Sequence, residues 1–127
     1  MRDAINGDAA YRAAATSWTW PVALVLEAEP GLGYATDTAV ELALDRGVCS
    51  SALTLEPAAI RAPFVLRGSY AAWKRIVRGI TDPVMAVVLR QVTLQGSLST
   101  LLLHARAAKA LVACAQNVPT HFPDESD

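Results

Sequence analysis

Two hydrophobic rhythms divide the chain. Over 22–68 apolar and polar positions alternate, and from Ser69 onward apolar residues recur every three or four positions, so strands are predicted first and helices after them. Ahead of both, the alanine-rich stretch 3–15 predicts an N-terminal helix, weakened in its first turn by Asn6-Gly7 and broken by Trp18-Thr19-Trp20-Pro21. Val22, Leu24, Leu26 and Ala28 set a first strand over 22–29, and Pro30-Gly31-Leu32-Gly33 reads as a turn. Val40, Leu42 and Leu44, flanked by Glu41 and Asp45, set a second strand over 38–45. Arg46-Gly47 is short enough for a hairpin into a third strand over 48–55, which Pro57 ends. A fourth, over 62–68, has Phe64 and Leu66 on one face and Val65 and Arg67 on the other.

Ser69 is a good N-cap for a helix carrying Tyr70, Trp73, Ile76 and Val77 on one face, closed by Gly79. Asp82-Pro83 starts another, with Val84, Met85, Val88 and Leu89 apolar. A short fifth strand over 92–95 ends at Gly96, and Ser97 caps a long final helix that Pro119 stops. Tight turns between consecutive strands imply antiparallel pairing, and helices gathered late must cover one face. The predicted class is α+β, a five-stranded, mainly antiparallel sheet with helices packed on one face. Without repeats or linkers, 1–127 reads as a single domain, with an N-terminal helix over 1–15 and an acidic tail over 118–127.

The final helix carries two apolar stripes. One holds Leu98, Leu101, Leu102, Ala105, Ala108 and Val112, the other Leu103, Ala107, Ala110, Leu111 and Cys114. One stripe can pack on the sheet. The second needs neighbouring helices, another subunit or an apolar ligand.

Composition narrows the classes. Hydrophobic residues make up 53% and charged residues 18%, which excludes intrinsic disorder. No uncharged apolar stretch reaches the roughly twenty residues of a membrane span. Cys49 and Cys114 lie in apolar surroundings outside any CxxC pair and read as buried free thiols. Together with termini that carry neither a signal peptide nor a retention signal, they predict a cytoplasmic protein. The net charge of −1 conceals segregation: 1–60 holds three basic against eight acidic residues, and 61–109 holds eight basic residues against Asp82 alone. Such a basic segment meets an anionic surface or ligand, or serves as a solvated face.

Chemistry-bearing motifs are sparse. His104 sits on the final helix, His121 in the tail, and neither has metal-ligand partners at the required spacing, so no metal or cofactor is expected. HExxH, GxSxG and DxDxDG are absent, and Gly31-Leu32-Gly33 lacks the rest of a phosphate loop. Tyr70 and Lys74 match the Tyr-x-x-x-Lys pair of short-chain dehydrogenases, but no dinucleotide loop precedes them. An isoelectric point near 6.1 and aromatics on an apolar helix face argue against nucleic acid as a partner.

Over 62–96 the order Ala62-Pro63-Phe64-Val65-Leu66-Arg67-Gly68-Ser69, then Trp73-Lys74-Arg75-Ile76-Val77-Arg78-Gly79, Asp82-Pro83-Val84-Met85-Ala86 and Val92-Thr93-Leu94-Gln95-Gly96 resembles the sterol carrier protein-2 domain family. The flanking elements extend the resemblance over most of 16–117. It implies an apolar tunnel between sheet and helices that holds a fatty acid, acyl-CoA, sterol-like or phospholipid ligand, bound and carried without catalysis. Its expected walls are Phe64, Trp73, Ile76, Val77, Met85, Val88, Leu89, Leu101, Leu102 and Ala105, which would bury an acyl chain at roughly 0.8 kcal/mol per CH₂. Lys74, Arg75, Arg78 and Arg90 are the expected contacts for a head group or, transiently, an anionic membrane. Family members commonly carry Gly-Lys before the fifth strand, where this chain has Arg90-Gln91. The family's peroxisomal C-terminal signal is absent, which points to a prokaryotic, cytosolic type.

Two alternatives stand beside this one. The second stripe of the final helix would form a dimer interface in an oligomeric interaction module. In an acyl-CoA-using enzyme, His104 or Tyr70 would serve as the base.

Overall fold

The computed structural model describes residues 2–28, 31 and 36–116. The proposed turn over 30–33, apart from Gly31, and the acidic tail with His121 lie outside them. Two short helices, α1 (Arg2–Asn6) and α2 (Ala9–Ala14), replace the single N-terminal helix; the break falls at Gly7, and the Asp8 carboxylate restarts the helix by accepting from the Tyr11 amide. Strands β1 (Val22–Leu26), β2 (Thr38–Asp45) and β3 (Val48–Leu55) follow. Arg46 (φ 51°) and Gly47 (φ 88°) both take left-handed backbone, as a two-residue hairpin turn requires.

β4 (Phe64–Gly68) completes a sheet of order β3-β2-β1-β4-β5 with β5 (Val92–Gln95) at its edge. β1 runs parallel to β4, and every other pair is antiparallel. Helices α3 (Tyr70–Val77) and α4 (Pro83–Val88) are opened by the side chains of Ser69 and Asp82. The long final helix is divided: α5 (Leu98–Leu103) ends at His104, whose backbone (φ −112°, ψ 30°) leaves the helical region, and α6 (Ala105–Gln116) runs on.

The core sits between α1, α2 and α6 and the inner sheet face. Ile5, Tyr11, Leu42, Cys49 and Cys114 are fully enclosed there. Asn6 ties α1 to the sheet edge. Its side-chain amide donates to the Cys49 carbonyl and its oxygen accepts from the Cys49 amide, both at 2.8 Å, as a neighbouring strand would. The division at His104 also splits the predicted stripes: Ala107 and Cys114 enter the core, while Leu103 is 84% exposed.

Candidate functional site

Between sheet and helices lies a cavity of about 410 Å³, inside the range of about 300–1,000 Å³ typical of small-molecule sites. Its floor is the inner face of β1: Val22, Leu24 and Leu26 are alternate residues and so share one side. The register places Val40 and Leu66 on either side of Leu24, widening that floor. The roof is a helical stripe of His104, Ala107, Ala108, Leu111 and Val112. At about 3.3 Å per strand residue and 1.5 Å per helical residue, the wall runs about 13 Å along β1 and about 12 Å along the roof.

α3 closes one side with Tyr70, Trp73, Ile76 and Val77, joined by Pro83 and Val87 of α4. Trp73 is fixed by its indole N–H, which donates to the Val25 carbonyl at 2.9 Å across the sheet. The ring rests on Gly68, where a Cβ would stand 3.2 Å from the indole nitrogen and 3.1 Å from Val92 Cγ2. The glycine that ends β4 thus makes room for the side chain that closes the cavity.

Among the described residues, no Asp, Glu, Lys or Arg lines this space. The polar groups on the wall are few. His104 Nδ1 lies 2.8 Å from the Thr100 carbonyl. A carbonyl only accepts, so Nδ1 carries a proton and Nε2 is the ring nitrogen left over. The ring stands edge-on against Trp18 and Trp20, with centroids 5.2 and 5.7 Å away. Tyr11 has its phenol pushed up to about 12, chiefly by burial and then by the neighbouring Cys49 and Cys114, so it stays protonated. Both cysteines are free and buried. Burial raises the Cys49 thiol, and burial with Asp8 takes Cys114 to about 11. Neither forms the thiolate a nucleophile needs.

The structure brings together part of the expected wall. Trp73, Ile76, Val77 and Leu101 line the cavity. Phe64 is buried outside the lining, in the aromatic cluster with Trp18 and Trp20, and Ala105 is half-buried beyond it. Met85, Val88, Leu89 and Leu102 are corrected more sharply: all four are exposed. α4 is a turn and a half long and offers the cavity only Pro83 and Val87, four residues apart, and α5 offers only Leu101. Sequence reasoning missed the β1 floor. Its alternation was visible, but which face the helices cover was not.

Of the expected head-group contacts, Arg75, Arg78 and Arg90 are exposed and Lys74 is half-buried. Arg75 Nε reaches Thr81 Oγ1 at 3.4 Å. Arg67 is taken up in a pair with Asp37, whose carboxyl is held below its usual range by the Ala28 amide and then by this guanidinium. At the start of α4, burial raises the Asp82 carboxyl, but the Met85 amide, Lys109 and the Val84 amide outweigh it and the net displacement is downward.

Among the described residues no group of three or more His, Cys, Asp or Glu is placed to hold a metal ion, and no helix is long and apolar enough to cross a membrane. His104 and Tyr70 share the cavity wall.

The chain matches no family model and no curated protein. Among solved structures, a crystal structure of sterol carrier protein 2 superposes with a TM-score of 0.86 at 31% identity, over 92% of this chain and 91% of that one. A solution structure from Thermus thermophilus, described as a conserved hypothetical protein and a possible sterol carrier protein, gives a TM-score of 0.83 at 31% identity, over 91% of this chain and 80% of that one. The apo form of sterol carrier protein 2 from Yarrowia lipolytica, at 15% identity and a TM-score of 0.61, shares the fold.

Proposed function

The chain belongs to the sterol carrier protein-2 family, and we propose that it binds a lipid or similar apolar ligand between sheet and helices and carries it without catalysing a reaction. The observation that carries this reading is the 410 Å³ cavity whose wall, among the described residues, holds no charged side chain. Such a space favours a hydrocarbon body and disfavours an ionic one. Trp73, Ile76, Val77 and Leu101 would meet the chain together with Val22, Leu24, Leu26 and Leu111. Each CH₂ taken from water contributes roughly 0.8 kcal/mol, so a ten-carbon segment contributes on the order of 8 kcal/mol before ordering costs. Lys74, Arg75, Arg78 and Arg90 are the proposed contacts for an anionic head group or membrane, and the cytoplasm is the proposed compartment.

Native mass spectrometry of the purified protein, followed by organic extraction, tests this reading. A mass increment that disappears on extraction and reappears on adding a long-chain fatty acid is expected. A protein that carries no increment and takes up neither fatty acid, acyl-CoA nor phospholipid would contradict it.

A further inference from the structure

Of the nine large apolar side chains exposed among the described residues, seven lie between positions 80 and 103. They sit on α4 and its C-terminal turn (Met85, Val88, Leu89), on α5 (Leu98, Leu102, Leu103) and at Ile80. Leu89 is 59% exposed and Leu103 84%. A concentration of this kind marks an interaction surface, because scattered exposure would not favour one segment. Both helices pack on α6. The helices themselves are uncharged, and the charge of the whole segment is basic: 83–116 contains Arg90, Arg106 and Lys109 and not one Asp or Glu. Asp82, the acid that precedes the segment in sequence, is engaged by the Lys109 ammonium at 3.2 Å. Arg90 and Arg106 are exposed.

We infer that the outer faces of α4 and α5 dock on an anionic lipid bilayer, with the aliphatic side chains among the upper acyl chains and Arg90 and Arg106 at the head groups. The charge selects the occupant. In a twofold dimer the same patch would face itself, bringing arginines against arginines without an acidic group on the patch to answer them. An anionic bilayer offers apolar depth and negative charge in one surface. α5 also links the surface to the cavity, since Leu101 on its inner side is part of the wall. The inference rests on the lipid-carrying reading for its purpose, while docking itself is measured without a cavity ligand.

The test is flotation with phosphatidylglycerol–phosphatidylcholine vesicles, comparing the parent with Leu89→Asp/Leu103→Asp and with Leu53→Asp. Leu53 is 61% exposed and, paired with Glu41 beside Ala23, stands on the opposite sheet face. The double variant is expected to lose about tenfold or more in partitioning, Leu53→Asp to float like the parent, and all three to unfold at the same urea concentration. Equal flotation of parent and double variant overturns the inference, as does equal loss in Leu53→Asp. A parent dimer that the double variant dissolves overturns it in favour of a second copy. Vesicle docking by a protein that takes up no apolar ligand upholds the inference and overturns the carrying reading; ligand uptake without docking does the reverse.

Discussion

α3 and the pair α4–α5 are built from similar apolar residues, yet they direct them oppositely. α3 has eight residues, and its apolar positions fall at helical spacing. Trp73 and Ile76 therefore point together under the helix, with Trp73 anchored to the Val25 carbonyl. α4 and α5 have six residues each and carry unbroken runs, Val84 to Leu89 and Leu101 to Leu103. A run puts apolar groups on every side of a helix, so a helix lying on the surface must turn some of them outward. Helical spacing thus predicts burial only where polar residues mark the other face.

The largest test of this contrast removes one residue from each region. Trp73→Ala should destabilise by about 3 kcal/mol, through lost packing and a vacated anchor, whereas Leu103→Ala should stay within about 0.5 kcal/mol; urea denaturation checks both. Next comes Gly96, which holds the start of α5 against β4 with φ 133° and leaves a Cβ only 2.8 Å from the Pro63 carbonyl oxygen. Backbone cannot yield as a side chain tip can, so Gly96→Ala should cost about 1–3 kcal/mol, read from the same curves.

Asp82→Ala should cost about 1 kcal/mol at neutral pH, because it removes the cap of α4 and the partner of Lys109. The Asp82 carboxyl is lowered in the folded protein. Its contribution is therefore present above the unfolded carboxyl value of about 3.9 and is lost as pH falls through the lower folded value. The gap between parent and Asp82→Ala should close below about pH 4 in a pH series of unfolding midpoints. The smallest effect belongs to Arg90, which holds φ 60°. Arg90→Gly should stabilise by about 0.5 kcal/mol, since glycine takes this backbone without strain, while vesicle flotation falls.

Much of the fold was legible because its signals are local. The bounds of β2, β3 and β5, and the caps at Ser69, Asp82 and Ser97, follow from alternation and from side chains that bond the next turn. The parallel pairing of β1 with β4 was not legible, since it joins segments forty residues apart. The division at His104 was hidden in a leucine-rich stretch without Gly or Pro. The wall was half legible for the same reason. Ile76 and Val77 were read from spacing, but Leu24 and Val87 needed the three-dimensional arrangement to show which face is inward.

The central claim, that the space over β1 receives an apolar chain, is tested most directly by filling it. Ala108 lines the roof, and Ala108→Phe places a ring in the cavity without touching the exposed faces of α4 and α5. Titration with a fluorescent fatty acid should show saturable binding by the parent and at least about tenfold weaker binding by Ala108→Phe, with vesicle flotation unchanged. Equal affinity in the two proteins would contradict the account.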